Sequence, residues 1–210
     1  MVYRIAMSSE GFLKLKAFYK QLLPSMTEES WSVCQSKLTS RQLKKGDFLL
    51  REGAACNQVS FINKGMVRMY YLAGGKEKVV CFFNENSYVS DYQSFLTRRP
   101  AHNYIQALED TEVIETSYDN LQALYKTMPE ANTIGRLIAE QMFIMINESH
   151  DIEKRESLEK RYTRLINEQP WLLQKVPQYM IASLLNITPE ALSRVKARMN
   201  KTRKIAEVVY

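Results

Sequence analysis

Histidine and cysteine, which carry most metal and nucleophile chemistry, are scarce, at two and three in 210 residues. His102 and His150 lie far apart, and neither has a partner at metal-ligand spacing. Cys34, Cys56 and Cys81 are scattered singly and odd in number, which excludes a disulfide framework and a CxxC metal motif. The chain has no apolar run of about 18 residues and no signal-peptide pattern. A reducing cytoplasm is therefore the expected location, with no membrane partner. No local motif assembles a Ser-His-Asp or Cys-His constellation, so neither a metal nor a catalytic residue is expected, and the chain is read as a non-enzyme.

What is present is ordinary in bulk and uneven in place. The chain is 45% hydrophobic and 25% charged, with net charge +6. Residues 176–210 hold +4 of that charge, six Lys/Arg against Glu190 and Glu207. A basic end on a near-neutral body suggests a polyanionic partner for that end.

That end contains the most informative stretch. Ile181, Ala182 and Leu185 fall on one face of a short helix. Asn186 tolerates a left-handed turn, and Thr188-Pro189 starts a second helix with a hydroxyl cap and proline at the first position. Leu192, Val195 and Met199 form its buried stripe. The opposite face carries Pro189, Glu190, Ser193, Arg194 and Ala197, flanked by Lys196 and Arg198. This layout predicts a helix-turn-helix. Arginine suits guanine O6 and N7, glutamate accepts from cytosine N4, and Lys196 and Arg198 suit phosphates. The alternative is an αα-hairpin with a solvated charged face.

Upstream, Gly11–Leu23 and a segment starting at Thr27-Glu28-Glu29 predict two amphipathic helices. From Arg41 to Ser117 the period shortens to strands with turn punctuation: Phe48–Leu50, Val59–Ile62, Val67–Tyr71, Val79–Phe83, Tyr104–Leu108 and Glu112–Ile114. Ala73-Gly74-Gly75-Lys76 reads as a hairpin tip. The set predicts a β-sandwich or jelly roll. A cupin-like enzyme would need more histidines converging there than the chain has.

Gly46-x-x-Leu49-x-x-Glu52-Gly53, then Phe61-Ile62-x-x-Gly65-x-Val67-Arg68, then a distant helix-turn-helix resembles the bacterial regulators related to the cyclic-AMP receptor protein and the fumarate-nitrate regulator (Crp/Fnr). Ile187–Arg194 is similar to that family's recognition-helix start. The resemblance implies an α+β chain: an N-terminal cyclic-nucleotide-binding-like jelly roll, or double-stranded β-helix (1–128), a dimerisation helix (129–155) and a C-terminal all-α DNA-binding domain (156–210). It implies Glu190 and Arg194 as base-reading positions and Thr188 as a phosphate contact.

The sensor half departs from the family pattern. Cyclic-nucleotide binders carry a Gly-Glu pair, the Glu on the ribose hydroxyl, followed by an Arg and a Ser/Thr for the phosphate. Here Ser90 and Asp91 stand at the pair, and the family's spacing lands on Ala101 and His102. A shorter loop would place Arg99 there, with Arg98 or His102 beside it; the alternative is a solvated turn. A buried phosphate without its cation is poorly compensated, so cyclic AMP or GMP is disfavoured as cofactor. The iron–sulfur branch of the family needs four ligands that this chain does not supply, and a haem variant would have only His102 in the sensor half.

After Pro129, Ile134, Ile138, Met142, Met145, Ser149 and Ile152 recur at spacings of three and four, predicting a seam for a partner helix. A second stripe through Leu137 and Ile144 is expected on the jelly roll. His150–Ser157 reads as a charged hinge. Beyond Met199, Val208-Val209-Tyr210 allows one strand at most, so the family's wing is expected to be missing or reduced, with Lys201, Arg203 and Lys204 as a loose basic arm. The expected function is a homodimeric, sequence-specific regulator of transcription on a palindromic double-stranded DNA site, with RNA polymerase as a further candidate partner. The competing expectation is a ligand-sensing or protein-interaction module that does not bind DNA.

Overall fold

The computed structural model describes the backbone of residues 9–208 and the side-chain surroundings of residues 11–199. Among the described residues eight strands form two sheets: β1 (Thr39–Leu43), β2 (Phe48–Leu50), β3 (Gln58–Lys64), β4 (Val67–Ala73), β5 (Lys76–Phe83), β6 (Tyr88–Val89), β7 (Tyr104–Ala107) and β8 (Thr111–Ser117). The sheet orders are β1-β8-β3-β6 and β2-β7-β4-β5. Alternation along each strand sorts the side chains. Ile62 and Val113 are cross-strand partners and point into a core shared with Leu50, Val67, Met69 and Ile105 of the other sheet. Phe61 and Ile114, also partners, face the other way. There α1 (Ser9–Leu22), α2 (Glu28–Gln35) and the later helices cover them with Phe12, Leu15, Trp31, Leu124 and Ile134. Strands β3 and β8 are thus buried on both faces.

The local signals in the sequence appear as geometry. Thr27 caps α2, accepting from the Ser30 N–H at 3.1 Å. Gly74 and Gly75 turn the β4–β5 hairpin at φ 57° and 76°. Four elements were not anticipated: β1, β6, α3 (Tyr92–Thr97) and α4 (Tyr118–Thr127). β1 is Thr-Ser-Arg-Gln-Leu, with one fully buried residue at its end, and its strand character comes from pairing with β8.

The chain forms two compact units, one up to Tyr71 together with Val80–Gln141, the other Leu72–Val79 together with Met142 onward. The division falls inside α5 (Pro129–Arg155), 27 residues long and about 40 Å at 1.5 Å per residue. The expected hinge at His150–Ser157 is mostly helix; the break is confined to Glu156-Ser157, with Ser157 capping the next helix. The expected seam also needs correction. Ile134 is buried and Ile138 part-buried against the first unit's own core, while Ile144, assigned to that core, is exposed. The bare apolar run is Phe143, Ile144, Met145 and Ile146.

The second unit contains α6 (Leu158–Glu168), α7 (Trp171–Lys175), α8 (Gln178–Leu184) and α9 (Pro189–Val208). α9 runs to Val208, where the described backbone ends. The backbone at Lys201, Arg203 and Lys204 is helical, a correction to the loose arm; their side chains, and Val209-Tyr210, lie outside the described residues.

Candidate nucleic-acid interface and sensor cradle

The two helices of the motif are fixed by short-range bonds. Asn186 sits at φ 58° and closes α8: its N–H returns to the Ser183 carbonyl, and the Ile187 N–H to the Ala182 carbonyl, both at 2.9 Å. That is the double bond of a Schellman end, which needs a residue tolerant of left-handed backbone. Thr188 then caps α9, its hydroxyl accepting from the Ala191 N–H at 3.2 Å. Ile181 and Ala182 are fully buried, and Leu192 and Val195 nearly so. The small side chain at 182 fits the position where the two helices meet.

Burying that stripe leaves Pro189, Glu190, Ser193, Arg194 and Ala197 exposed together on α9. The Glu190 carboxyl is held below its ordinary value, chiefly by its own backbone N–H and the Thr188 hydroxyl, with Arg194 adding to the effect. It is therefore an ionised acceptor at neutral pH. The two flanking cations are anchored differently. Lys196 Nζ donates to Gln178 Oε1 at 3.0 Å, while Arg198 pairs with the Glu159 carboxylate on α6. Arg161, also on α6, donates to the Leu185 carbonyl at 3.3 Å and so braces the end of α8. Sequence reasoning missed the parts of Gln178 and Glu159, because both partners are fixed by packing between helices rather than by spacing.

In the first unit, Ser90, Asp91 and Arg98 come together around α3, and each is engaged within the protein. Asp91 is buried and caps α3, accepting from the Ser94 N–H at 3.0 Å and from Asn103 Nδ2 at 2.9 Å. Ser90 Oγ donates to the Gln58 carbonyl at 3.1 Å. Arg98 adopts φ 59°, donates to the Cys56 carbonyl at 3.0 Å and to Asn57, and stacks on Tyr118 at 4.4 Å. Arg99 and His102 are exposed. The carboxylate thus holds the β6–α3–β7 segment together, and the first arginine of the expected cradle ties that segment to Cys56 and Asn57 ahead of β3. The Asp-x-x-Ser capping pattern at 91–94 was the signal for this.

Another polar group lies between the sheets. Glu115 and Ser60 are cross-strand partners on the face of Ile62 and Val113, hence toward the shared core. The Glu115 side chain is 4% exposed; Ser60 Oγ donates to it at 3.3 Å, and Arg41 Nη1 lies 3.6 Å away. With its amide nitrogen turned inward, Gln58 donates to both carboxylate oxygens at 3.2 Å. Burial pushes the Glu115 carboxyl up, and Arg41 and Ser60 only partly offset this. A raised carboxyl binds its proton more tightly folded than unfolded, so its contribution is intact below the unfolded value and lost as pH rises through the folded one. Glu115→Gln is expected to flatten the decline in stability above the ordinary carboxyl range, measured as the urea midpoint across weakly acid to neutral pH. Equal slopes for both proteins would count against this account. Among the described residues no group of three or more His, Cys, Asp or Glu is placed to hold a metal, and no helix is long and apolar enough to cross a membrane.

Residues 40–128 match the family model of the cyclic nucleotide-binding domain. No curated protein matches the chain significantly. Among solved structures, a putative transcriptional regulator of the Crp/Fnr family from Eubacterium rectale superposes with TM-score 0.68 at 16% identity, covering 88% of each chain. A CooA variant from Carboxydothermus hydrogenoformans gives 0.66 at 16% identity, covering 95% of this chain and 88% of that one. The cyclic-di-GMP-responsive global regulator CLP of Xanthomonas campestris gives 0.62 at 17% identity, covering 81% and 90%. At such identities the likeness is one of fold.

Proposed function

We propose that the chain is a homodimeric, sequence-specific DNA-binding transcription regulator of the Crp/Fnr type, acting without catalysis. The observation that carries this is the exposed face of α9. A helix capped by Thr188 and seated by Leu192 and Val195 presents Glu190, Ser193 and Arg194 outward with basic flanks. The likeness of nearly the whole chain to Crp/Fnr structures supports the same reading. Arg194 would read a guanine through O6 and N7, Glu190 a cytosine, and Thr188 and Lys196 the phosphates.

Cyclic AMP and GMP are poor candidates for the effector. Asp91 and Arg98 already have partners inside the protein; a ribose hydroxyl would have to displace those of Asp91, and a phosphate those of Arg98. Calorimetric titration with both nucleotides is expected to give no heat at micromolar concentrations.

Site selection from random DNA, followed by titration of the chosen duplex, tests the central claim. Arg194→Ala is expected to lose about 1–3 kcal/mol on the selected site and to relax preference at one base pair per half-site. Unchanged selectivity would remove Arg194 from the reading role. Failure to select any site, or binding that ignores salt, would favour a protein-interaction role for the second unit, since phosphate contacts impose a steep salt dependence.

A further inference from the structure

The two basic flanks of α9 differ in a way that bears on affinity for the DNA backbone. Lys196 is held by the neutral carbonyl oxygen of Gln178, at 3.0 Å, which orients the ammonium without cancelling its charge. Arg198 is held by a carboxylate, Glu159, whose Oε1 lies 2.5 Å from the guanidinium. Arg198 stands one helical turn beyond Arg194, on the same side of α9. The other acid of α6 is occupied elsewhere: Glu168 pairs with Arg164 at 3.3 Å, and Arg164 also takes Glu156, just ahead of the helix.

A carboxylate and a phosphate offer a guanidinium the same pair of acceptor oxygens. The Glu159–Arg198 pair is solvated, with side chains 42% and 66% exposed, so it is weak and exchangeable rather than a structural lock. Glu159 has a second reason to sit where it does, since an acid in the first turn of α6 complements the helix dipole. That role needs only a negative charge near the N-terminus and does not require the reach to Arg198.

We propose that Glu159 occupies the place of a DNA phosphate on Arg198 in the free protein and so acts as a brake on backbone binding. The proposal rests on the DNA-binding reading above. On contact with DNA, Arg198 exchanges the carboxylate for a phosphate, and the complex carries both the lost pair and the nearby negative charge as a cost. Removing the charge of Glu159 while keeping its shape releases the brake. Lys196, with a neutral anchor, bears no such cost.

The test uses the full chain and a random-sequence DNA duplex, titrated by fluorescence anisotropy over a range of salt. The variants are Glu159→Gln, Arg198→Ala, the two combined, and Glu153→Gln, which removes an equal charge from an exposed position on α5. Glu159→Gln is expected to tighten binding about two- to tenfold at low salt and to steepen the salt dependence by up to about one counterion. Glu153→Gln should do markedly less. With Arg198 already alanine, Glu159→Gln should fall to the Glu153→Gln level. The proposal is overturned if Glu159→Gln matches wild type or Glu153→Gln, or if its effect survives without Arg198. Should neither wild type nor Glu159→Gln bind the duplex in a salt-dependent way, the DNA-binding reading itself fails and the proposal falls with it.

Discussion

Phe143→Asp with Ile146→Asp is expected to convert the proposed homodimer to a monomer without loss of helix content. In the single chain the two side chains are 69% and 49% exposed, beside Ile144 at 55% and Met145 at 54%. Four consecutive large apolar residues cover most of the circumference of a helix, so no single face of the chain's own core accounts for them. A bare patch of this kind on a long helix is an interaction surface, and the helix of a second copy is the occupant the proposed dimer supplies. The neighbouring residues Ile134 and Ile138 behave differently because the first unit's core takes them.

In a two-fold interface each substitution counts twice. At about 1.5 kcal/mol for each side chain removed from burial, the double variant loses roughly 6 kcal/mol, or about ten-thousandfold in dissociation constant. Buried aspartate would add to that. Sedimentation velocity at micromolar concentration reads the mass directly, and far-ultraviolet circular dichroism checks that α5 persists. A monomeric wild type, or a double variant that stays dimeric, would remove α5 as the dimer helix. A monomer would also lose the coupling of two half-sites about one turn apart. Its DNA footprint should then shrink to one half-site.

What could be read from the sequence follows the range of the forces involved. Thr27, Asn186 and Thr188 act on backbone groups within five residues of themselves, and each was legible in advance. The β3 and β8 strands were legible because burial on both faces demands Val, Ile and Phe. β1 was not, since its partner β8 lies some seventy residues on in the chain and its own residues are mostly polar. The stripes on α5 were visible as stripes, but periodicity cannot say which one the chain keeps for itself. Ile134 and Ile144 exchanged roles for that reason. Asp91 shows a further limit: one carboxylate suits a ribose hydroxyl and a helix cap equally well. Only the positions of the Ser94 N–H and Asn103 show which is satisfied here.

Gly65→Ala should destabilise the first unit by about 2–4 kcal/mol, and the comparison with Gly46→Ala shows why. Both glycines belong to the motif that carries the family resemblance, and both have left-handed backbone, at φ 94° and 91°. A methyl group at 46 would meet nothing within 4 Å. Its cost is conformational alone, about 1–2 kcal/mol. At 65 the same methyl would lie 2.5 Å from Thr111 Oγ1, 2.7 Å from the Asp110 carbonyl oxygen and 2.8 Å from Thr111 Cα. Two of these atoms are backbone and cannot swing away. The third is the hydroxyl that accepts from the Met66 N–H at 3.2 Å and donates to the Glu109 carbonyl at 2.8 Å, tying the β3–β4 turn to the β7–β8 turn. Gly65→Ala must therefore move one turn away from the other. Chemical unfolding in a Trp171→Phe background would leave the buried Trp31 to report the first unit alone. Equal losses for the two alanines would mean that the turns separate freely, and that Gly65 is required for its backbone angle only.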